Sequence, residues 1–313
     1  MNEVLTGVTF RRLEPSMEDV CASMTFPAYR HLLPLRPVSR HPEQGDPKLV
    51  QPVGVVAVAG TGILALALAE VPLATDGVPE LLSLFVDEGL RGRGVATTLV
   101  EQLEQELAAK GCAELRAVYM TGKPSIPAVE RVFAKRGFSA PEARTVTLRF
   151  TPEEALQTPW FRRIKLSSEY VVVPWAEITP AERERIQSSN AEKPWIAGGL
   201  EPWKHDRNFH PASSLGLRYK GEVVGWVINH QVTADTVRFT CSFMRKDLGR
   251  RGRIMPLYTI SLERLREAGC QQCTFVTPVS YKTMVEFARK RCAPWASFLG
   301  ETRGVSKKLG HLP

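Results

Sequence analysis

Apolar and polar positions along the chain alternate between two periods. VTFRRLE, VGVVAVAG, GILALALAEV and LLSLFV are short apolar or alternating runs, bounded by Gly, Pro or charged residues, and predict strands. The second and third flank Gly60 to Gly62, which predicts a hairpin. SMEDVCASMTFPAYRHLL predicts a helix after the first strand. Leu99, Leu103 and Leu107 recur every four residues and so share one helix face, with Gly111 as the stop. A strand over 115–119, a helix over 126–136 ending at Gly137, and a last strand TVTLRF complete this half. Residues 151–166 mix prolines with charges and read as a linker. The strand EYVVVPW and the helix TPAERERIQSS follow, then a loop rich in aromatic, Pro and His residues from Pro194 to Pro211. GLRYKG and EVVGWVINHQV form a second hairpin and VRFTCSFM a further strand. The alternation predicts an α/β (α+β) fold in each half, a central mixed sheet flanked by helices.

The two halves are related. Residues 85–112 align on 243–270 without a gap, at an offset of 158, and match at Phe85/Phe243, Leu90/Leu248, Arg93/Arg251, Gly94/Gly252, Leu99/Leu257, Leu107/Leu265, Gly111/Gly269 and Cys112/Cys270. Chance would give roughly two matches. Each copy runs strand, basic glycine-containing turn, amphipathic helix, Gly-Cys stop, strand. The expected organisation is a domain over 1–150, a linker over 151–166 and a second domain over 167–313.

With 43% apolar and 24% charged residues, the chain has the balance of a globular protein, and no stretch approaches the roughly 20 apolar residues of a membrane span. The N-terminus lacks the pattern of a secretory signal, so a cytoplasmic location is expected. Of six cysteines, only Cys270 and Cys273 have CxxC spacing. A zinc site would need a second ligand pair, so buried free thiols are the better reading and no metal is expected. A net charge of +8 favours anionic partners. The aromatic residues do not interleave with the basic ones as a nucleic-acid stacking platform would, and no nucleic-acid partner is expected.

Arg91-Gly92-Arg93-Gly94-Val95-Ala96 stands where a strand passes directly into a helix. The first N–H groups of such a helix lack intrahelical partners, and with the helix dipole they make an anion site. Gly92 and Gly94 let the backbone approach a phosphate, and Arg91 and Arg93 add charge. Arg-x-x-Gly-x-Ala after Leu84-Phe85-Val86 resembles the acyl-CoA motif of the GNAT (GCN5-related N-acetyltransferase) superfamily. The resemblance continues through Gly111 and Ala128, Phe133, Gly137 and Phe138, covering most of residues 8–150. It implies that the strand holds the pantetheine arm of acyl-CoA and the turn its pyrophosphate. The second turn departs from the motif, with Gly249 at the leading position and Ile254 at the small one. Arg250, Arg251, Gly252 and Arg253 could still hold an anion, so it is either a degenerate scaffold or a modified donor site.

Acyl transfer to an amine needs a base, directly or through water, and an acid or solvent for the leaving thiolate. The resemblance makes Glu80, at the start of the strand before the first turn, the candidate base; the alternative is a solvated strand-end carboxylate. It places Phe133 where the family has its acidic tyrosine and Ser125 where it often has asparagine, leaving Tyr119 as a substitute acid. In the second copy Arg238 stands opposite Glu80 and cannot be a base. His230 could accept a proton there or be a hydrogen-bonded structural histidine, and Tyr258 is the candidate acid. LLSLFV, SLGLRYKGEVVGWVINH, FTCSFMRKDLGRRGR and the terminal SKKL are similar to a narrower group of bacterial tandem GNAT proteins. That likeness implies an N-acyltransferase moving a medium or long acyl chain from acyl-CoA or acyl-carrier protein to a Lys or ornithine side chain of a ribosomal precursor peptide. Trp195, Trp203, Phe209 and Trp226 would line a groove for it, or are simply core. An acetyltransferase of a small amine and a non-catalytic acyl-CoA-binding protein are the alternatives.

Overall fold

The computed structural model describes residues 7–40, 48–74, 77–163, 165–248 and 252–310. The chain divides into two compact units, residues 1–144 with 302–313, and residues 145–301.

Unit 1 begins with β1 (Val8–Arg12), α1 (Glu18–Cys21), β2 (Val38–Ser39), β3 (Leu49–Ala59), β4 (Gly62–Pro72), β5 (Glu80–Val86), α2 (Val95–Ala109), β6 (Glu114–Met120) and α3 (Ile126–Lys135). Its sheet has the order β1-β3-β4-β5-β6, with β2 on β3. Neighbours are antiparallel except β5 and β6. β3 and β4 are almost wholly buried because both faces of the sheet are covered. Val53, Val55 and Ala57 join α2's Val95, Leu99, Leu103 and Leu107 in one core. Val56 and Val58 face Met17, Cys21, Leu32 and Leu33 in another. The leucine stripe read from the sequence is thus the seam between α2 and the sheet. The single helix expected over 16–33 is instead broken. A 3-10 turn and α1 end at Cys21, and a second 3-10 stretch starts at Pro27. Pro27 has no N–H to continue a helix, and the Thr25 hydroxyl shares a hydrogen bond of 2.6 Å with Ser83 of β5.

β7 (Glu142–Phe150) leads into unit 2, which continues with α4 (Pro152–Leu156), α5 (Pro159–Arg162), β8 (Tyr170–Pro174), α6 (Pro180–Glu192), β9 (Leu215–Tyr219), β10 (Glu222–Thr233), β11 (Thr236–Met244), α7 (Met255–Glu267), β12 (Gln272–Pro278) and α8 (Lys282–Phe287). Thr145–Phe150 of β7 pair antiparallel with β12, and the order runs β7-β12-β11-β10-β9-β8. Shifting β5, α2 and β6 by the 158-residue offset lands on β11, α7 and β12, so the repeat is structural as well as sequential. The final strand, β13 (Phe298–Lys308), returns to unit 1 and pairs antiparallel with β6 from Thr302↔Met120 to Lys308↔Glu114. Each unit therefore includes strand residues from the other half of the chain. Lys307 Nζ and Arg136 Nη2 both lie 2.6 Å from Glu104 Oε2, and so give that buried α2 carboxylate two cationic partners.

The stretch 151–166, expected as a linker, carries core of unit 2. Thr151 and Glu154 form a reciprocal capping box that starts α4, and Ala155, Leu156 and Phe161 are buried. Its prolines are N1 residues of α4 and α5 rather than marks of an extended tether. A second capping box, Thr179 with Glu182, starts α6, and Arg218 of β9 binds both Glu182 oxygens at 2.7 and 3.0 Å. The Arg218 hydrogen bonds, first among the causes, pull the Glu182 carboxyl down from 4.5 to about 2. A depressed carboxyl stabilises the fold above its unfolded value and loses that contribution as the pH falls through the folded one. Urea unfolding should show Glu182→Gln about 1–2 kcal/mol less stable than wild type near neutrality, allowing for solvent screening. The gap should close as the pH falls from 4.5 toward 2. A constant gap across that window would contradict the ion-pair account.

Candidate active site

β5 and β6 are paired only at Glu80↔Arg116 and Leu81↔Ala117, although both strands run on to Val86 and Met120. A register shift between β4 and β5 at Leu68/Ala69 leaves Leu82 as the extra residue and bends β5 where the pairing ends. Beyond this point Leu84, Phe85 and Val86 are partly exposed and line a cleft of about 810 Å³. The turn after β5 is shaped for close approach. Asp87 accepts from Gly89 N at 3.0 Å, Arg91 Nε donates to Val86 O at 3.1 Å, and Gly92 and Gly94 have φ of 77° and 88°. Gly94 is the N-cap of α2, whose first turn closes with Thr98 N donating to Gly94 O at 3.1 Å. The N–H groups before Thr98 are those that helix geometry leaves for an anion.

Arg91, Gly92, Gly94, Val95 and Ala96 all border the cleft. Val95's side chain is buried in the core, so its contribution is backbone. Arg93 is exposed and is not among the lining residues. The sequence reading missed the opposite wall, where Lys123, Arg131 and Lys135 join Arg91, and no acidic side chain is among the lining residues described. The i, i+4 spacing of Arg131 and Lys135 on the helix after the turn was the available signal.

Glu80 is the first of the two paired positions, one residue before the last, and lies directly opposite Glu70 of β4. Like charges directly across a strand pair repel, and Glu70 is only 2% exposed. Arg40 resolves both problems, with Nε 2.6 Å from Glu70 Oε1 and Nη2 2.8 Å from Glu80 Oε2. Tyr29, from the 3-10 stretch, is half-buried beside this group, and burial first and then Glu80 and Glu70 raise its phenol. Neither Arg40 nor Tyr29 carries a local motif, so neither was found from sequence. Tyr119, the expected acid, donates its hydroxyl to Glu130 Oε1 at 2.9 Å, and Glu130 also binds Arg303. Burial and that bond hold the Tyr119 phenol well above its usual range.

The other predicted residues belong to unit 2 and are dispersed. His230 uses both ring nitrogens, Nδ1 with the Thr240 hydroxyl at 2.9 Å and Nε2 donating to Arg207 O at 3.0 Å, and burial is the main cause lowering its pKa. Tyr258 packs on Phe239 and interacts with Ser242, and burial pushes its phenol to about 12. β11 and β12 pair in parallel up to Phe239↔Phe275, then part as β5 and β6 do. Next to Phe239 and Phe275, the side chains of Phe150, Tyr258, Met284, Trp295 and neighbouring apolar residues enclose a cavity of about 40 Å³. Gly252 keeps a positive φ of 70°, and Arg253 Nη1 bonds Tyr170 Oη at 3.1 Å and Leu248 O at 3.3 Å. Arg250 and Arg251 lie outside the described residues. Trp195 and Trp226 pack on Phe243; Trp226 is fully buried core, whereas Trp195 and Phe209 are only partly buried and Trp195 borders a cleft of about 1390 Å³ with Ile186, Pro194 and Val223. Trp203 is 36% exposed. Among the described residues there is no group of three or more His, Cys, Asp or Glu that could hold a metal, and no helix long and apolar enough to cross a membrane.

Residues 29–138, which contain the cleft, match the Acetyltransferase (GNAT) family. No curated protein sequence matches the chain. Among solved structures, a tandem GNAT protein from the clavulanic acid biosynthesis pathway is similar at 12% identity and a TM-score of 0.58, covering 98% of this chain and 100% of that one. A GCN5-related N-acetyltransferase from Sphaerobacter thermophilus is similar at 13% identity and a TM-score of 0.55, over 99% and 97%. A glucosamine N-acetyltransferase region of a fungal multi-domain GH3 β-N-acetylglucosaminidase reaches 0.54 at 12% identity, over 95% of this chain and 38% of that one. Residues 29–138 thus carry a GNAT-family match, and over its whole length the chain has the fold of a tandem GNAT protein. Family and fold support acyl transfer from a coenzyme A thioester to an amine.

Proposed function

We propose that unit 1 is an N-acyltransferase that takes its acyl group from acyl-CoA in the cleft at Arg91 to Ala96. The observation that carries this is the cleft itself, open along Leu84–Val86, headed by a helix N-terminus and bordered, among the described residues, by four cationic and no anionic side chains. A pantetheine arm has extended backbone to lie along, and its phosphates meet donors and positive charge. Those charges favour the phosphorylated nucleotide of coenzyme A over an acyl-carrier protein as the donor form. Glu80 accepts the ammonium proton, directly or through water, close to the point where β5 and β6 part. The neutral amine then attacks the thioester carbonyl, the C–N bond forms as the C–S bond breaks, the nitrogen gives its surplus proton to solvent, and the thiolate takes one from solvent. Unit 2, whose turn departs from the motif at Gly249 and Ile254, supports the acceptor side rather than a second donor. The sequence resemblance supports a medium or long acyl chain and a Lys or ornithine side chain of a ribosomal peptide.

Thermal shift with acetyl-, octanoyl- and palmitoyl-CoA tests the donor, since a ligand that binds only the native state raises Tm. All three should stabilise the protein, and no shift with any of them would remove the donor site. Free CoA release with lysine- and ornithine-containing peptides then tests the chemistry. Glu80→Gln should leave the thermal shift intact and slow turnover about 100-fold or more. Unchanged turnover would remove Glu80 as the base, while binding without turnover in wild type would favour a non-catalytic acyl-CoA-binding protein.

A further inference from the structure

The duplicated element contains an internal comparison. Both copies end their helix with Gly-Cys, at Gly111-Cys112 and Gly269-Cys270, and both glycines have positive φ. Three residues on, the first copy has Leu115 and the second has Cys273, each at the equivalent inward position of its strand and each fully buried. Cys112 therefore has no thiol at that position, whereas Cys270 has one.

The local backbone brings the second pair together. Cys270 N donates to Leu265 O at 2.9 Å, closing the end of α7, and Gln271 N and Gln272 N both donate to Asp235 O at 3.1 and 3.0 Å. These bonds anchor the short connection from α7 into β12 that carries both cysteines. Cys270 Sγ donates to Gln272 O at 3.3 Å and Asp235 O at 3.6 Å and lies beside the Cys273 thiol, with Cys270 partly exposed and Cys273 buried. The hydrogen bond from Cys273 is the first cause drawing the Cys270 thiol down to about 7, and the same contact pushes Cys273 up. In the first copy burial raises Cys112. An accessible thiol that ionises early beside a buried protonated one is the arrangement of an attacking and a resolving cysteine.

We propose that Cys270 and Cys273 form a redox-active dithiol that closes to an intramolecular disulfide by exchange with a low-molecular-weight disulfide of the glutathione type, a property separate from acyl transfer. The Cys270 thiolate attacks one sulfur of the small disulfide, forming a mixed disulfide and expelling one small thiolate. Cys273 then gives up its proton and attacks Cys270 Sγ, forming the Cys270–Cys273 bond and expelling the second. Two protein thiols are oxidised and one small disulfide is reduced to two thiols.

The full-length protein, incubated with oxidised glutathione, then denatured, alkylated with iodoacetamide and peptide-mapped, tests this. The expected product is a Cys270–Cys273 link with Cys21, Cys112, Cys241 and Cys292 alkylated. Cys273→Ser and Cys273→Ala should instead stop at glutathione on Cys270. In the untreated native protein near pH 7, iodoacetamide should modify Cys270 roughly tenfold faster than Cys112. Alkylation of all six cysteines after oxidised glutathione would overturn the proposal. So would a wild-type mixed disulfide at Cys270 that never closes, or a Cys270 no more reactive than Cys112.

Discussion

A chain truncated after Glu301 should lose the fold of unit 1. The deletion removes all seven β13 residues paired with β6, from Thr302 to Lys308, and exposes β6 as an unpaired edge. It also removes Val305, 3% exposed in the unit 1 core, a loss of about 1.5–2 kcal/mol of apolar burial. Glu104 loses Lys307 and keeps Arg136, and halving the countercharge of a buried carboxylate costs a further few kcal/mol. The sum is comparable with the whole stability of a domain. Hydrogen exchange monitored by mass spectrometry should show protection lost across Leu115 to Tyr119 and α2 while α7 and β10 stay protected. Full protection of β6 in the truncated chain would show that β13 is dispensable. A fragment of residues 1–150 should fail in the same way, and fusing residues 302–310 to it through a flexible linker should recover protection in β6.

The second large effect is expected at Gly94. Its φ of 88° lies where a side chain is strained, yet a Cβ there would meet no atom within 4 Å. Gly94→Val should therefore cost about 1–2 kcal/mol of stability and still fold. The added side chain would stand at the N-terminus of α2, between the backbone donors and an approaching phosphate. Losing one or two hydrogen bonds to a charged group corresponds to about 10- to 100-fold weaker binding of acetyl-CoA, read by calorimetry. Gly111→Val is the matched control. Gly111 has a φ of 81°, equally open surroundings and the opposite end of the same helix, so its strain is similar and its distance from the cleft is large. Equal acetyl-CoA affinity in Gly94→Val and Gly111→Val would detach the turn from the donor.

The sequence by itself determined the features that rest on local rules. The leucine stripe of α2, the hairpin at Gly60, the stops at Gly111 and Gly137 and the glycine-containing turn before α2 each follow from spacing and backbone freedom within one element. The 158-residue repeat was legible because it compares such elements with each other. Only the tertiary structure decided where β7 and β13 pair, because strand partners join through backbone groups that carry no side-chain signature. It likewise turned residues 151–166 from tether to core, since their prolines sit at helix starts where either reading is allowed. The bridge from Arg40 to Glu70 and Glu80 spans up to 40 residues of sequence and exists only once β4 and β5 are in register. The enclosure of a small apolar cavity in unit 2 by Phe150, Tyr258, Met284 and Trp295 is a matter of volume rather than pattern, for each of these residues could equally be ordinary core.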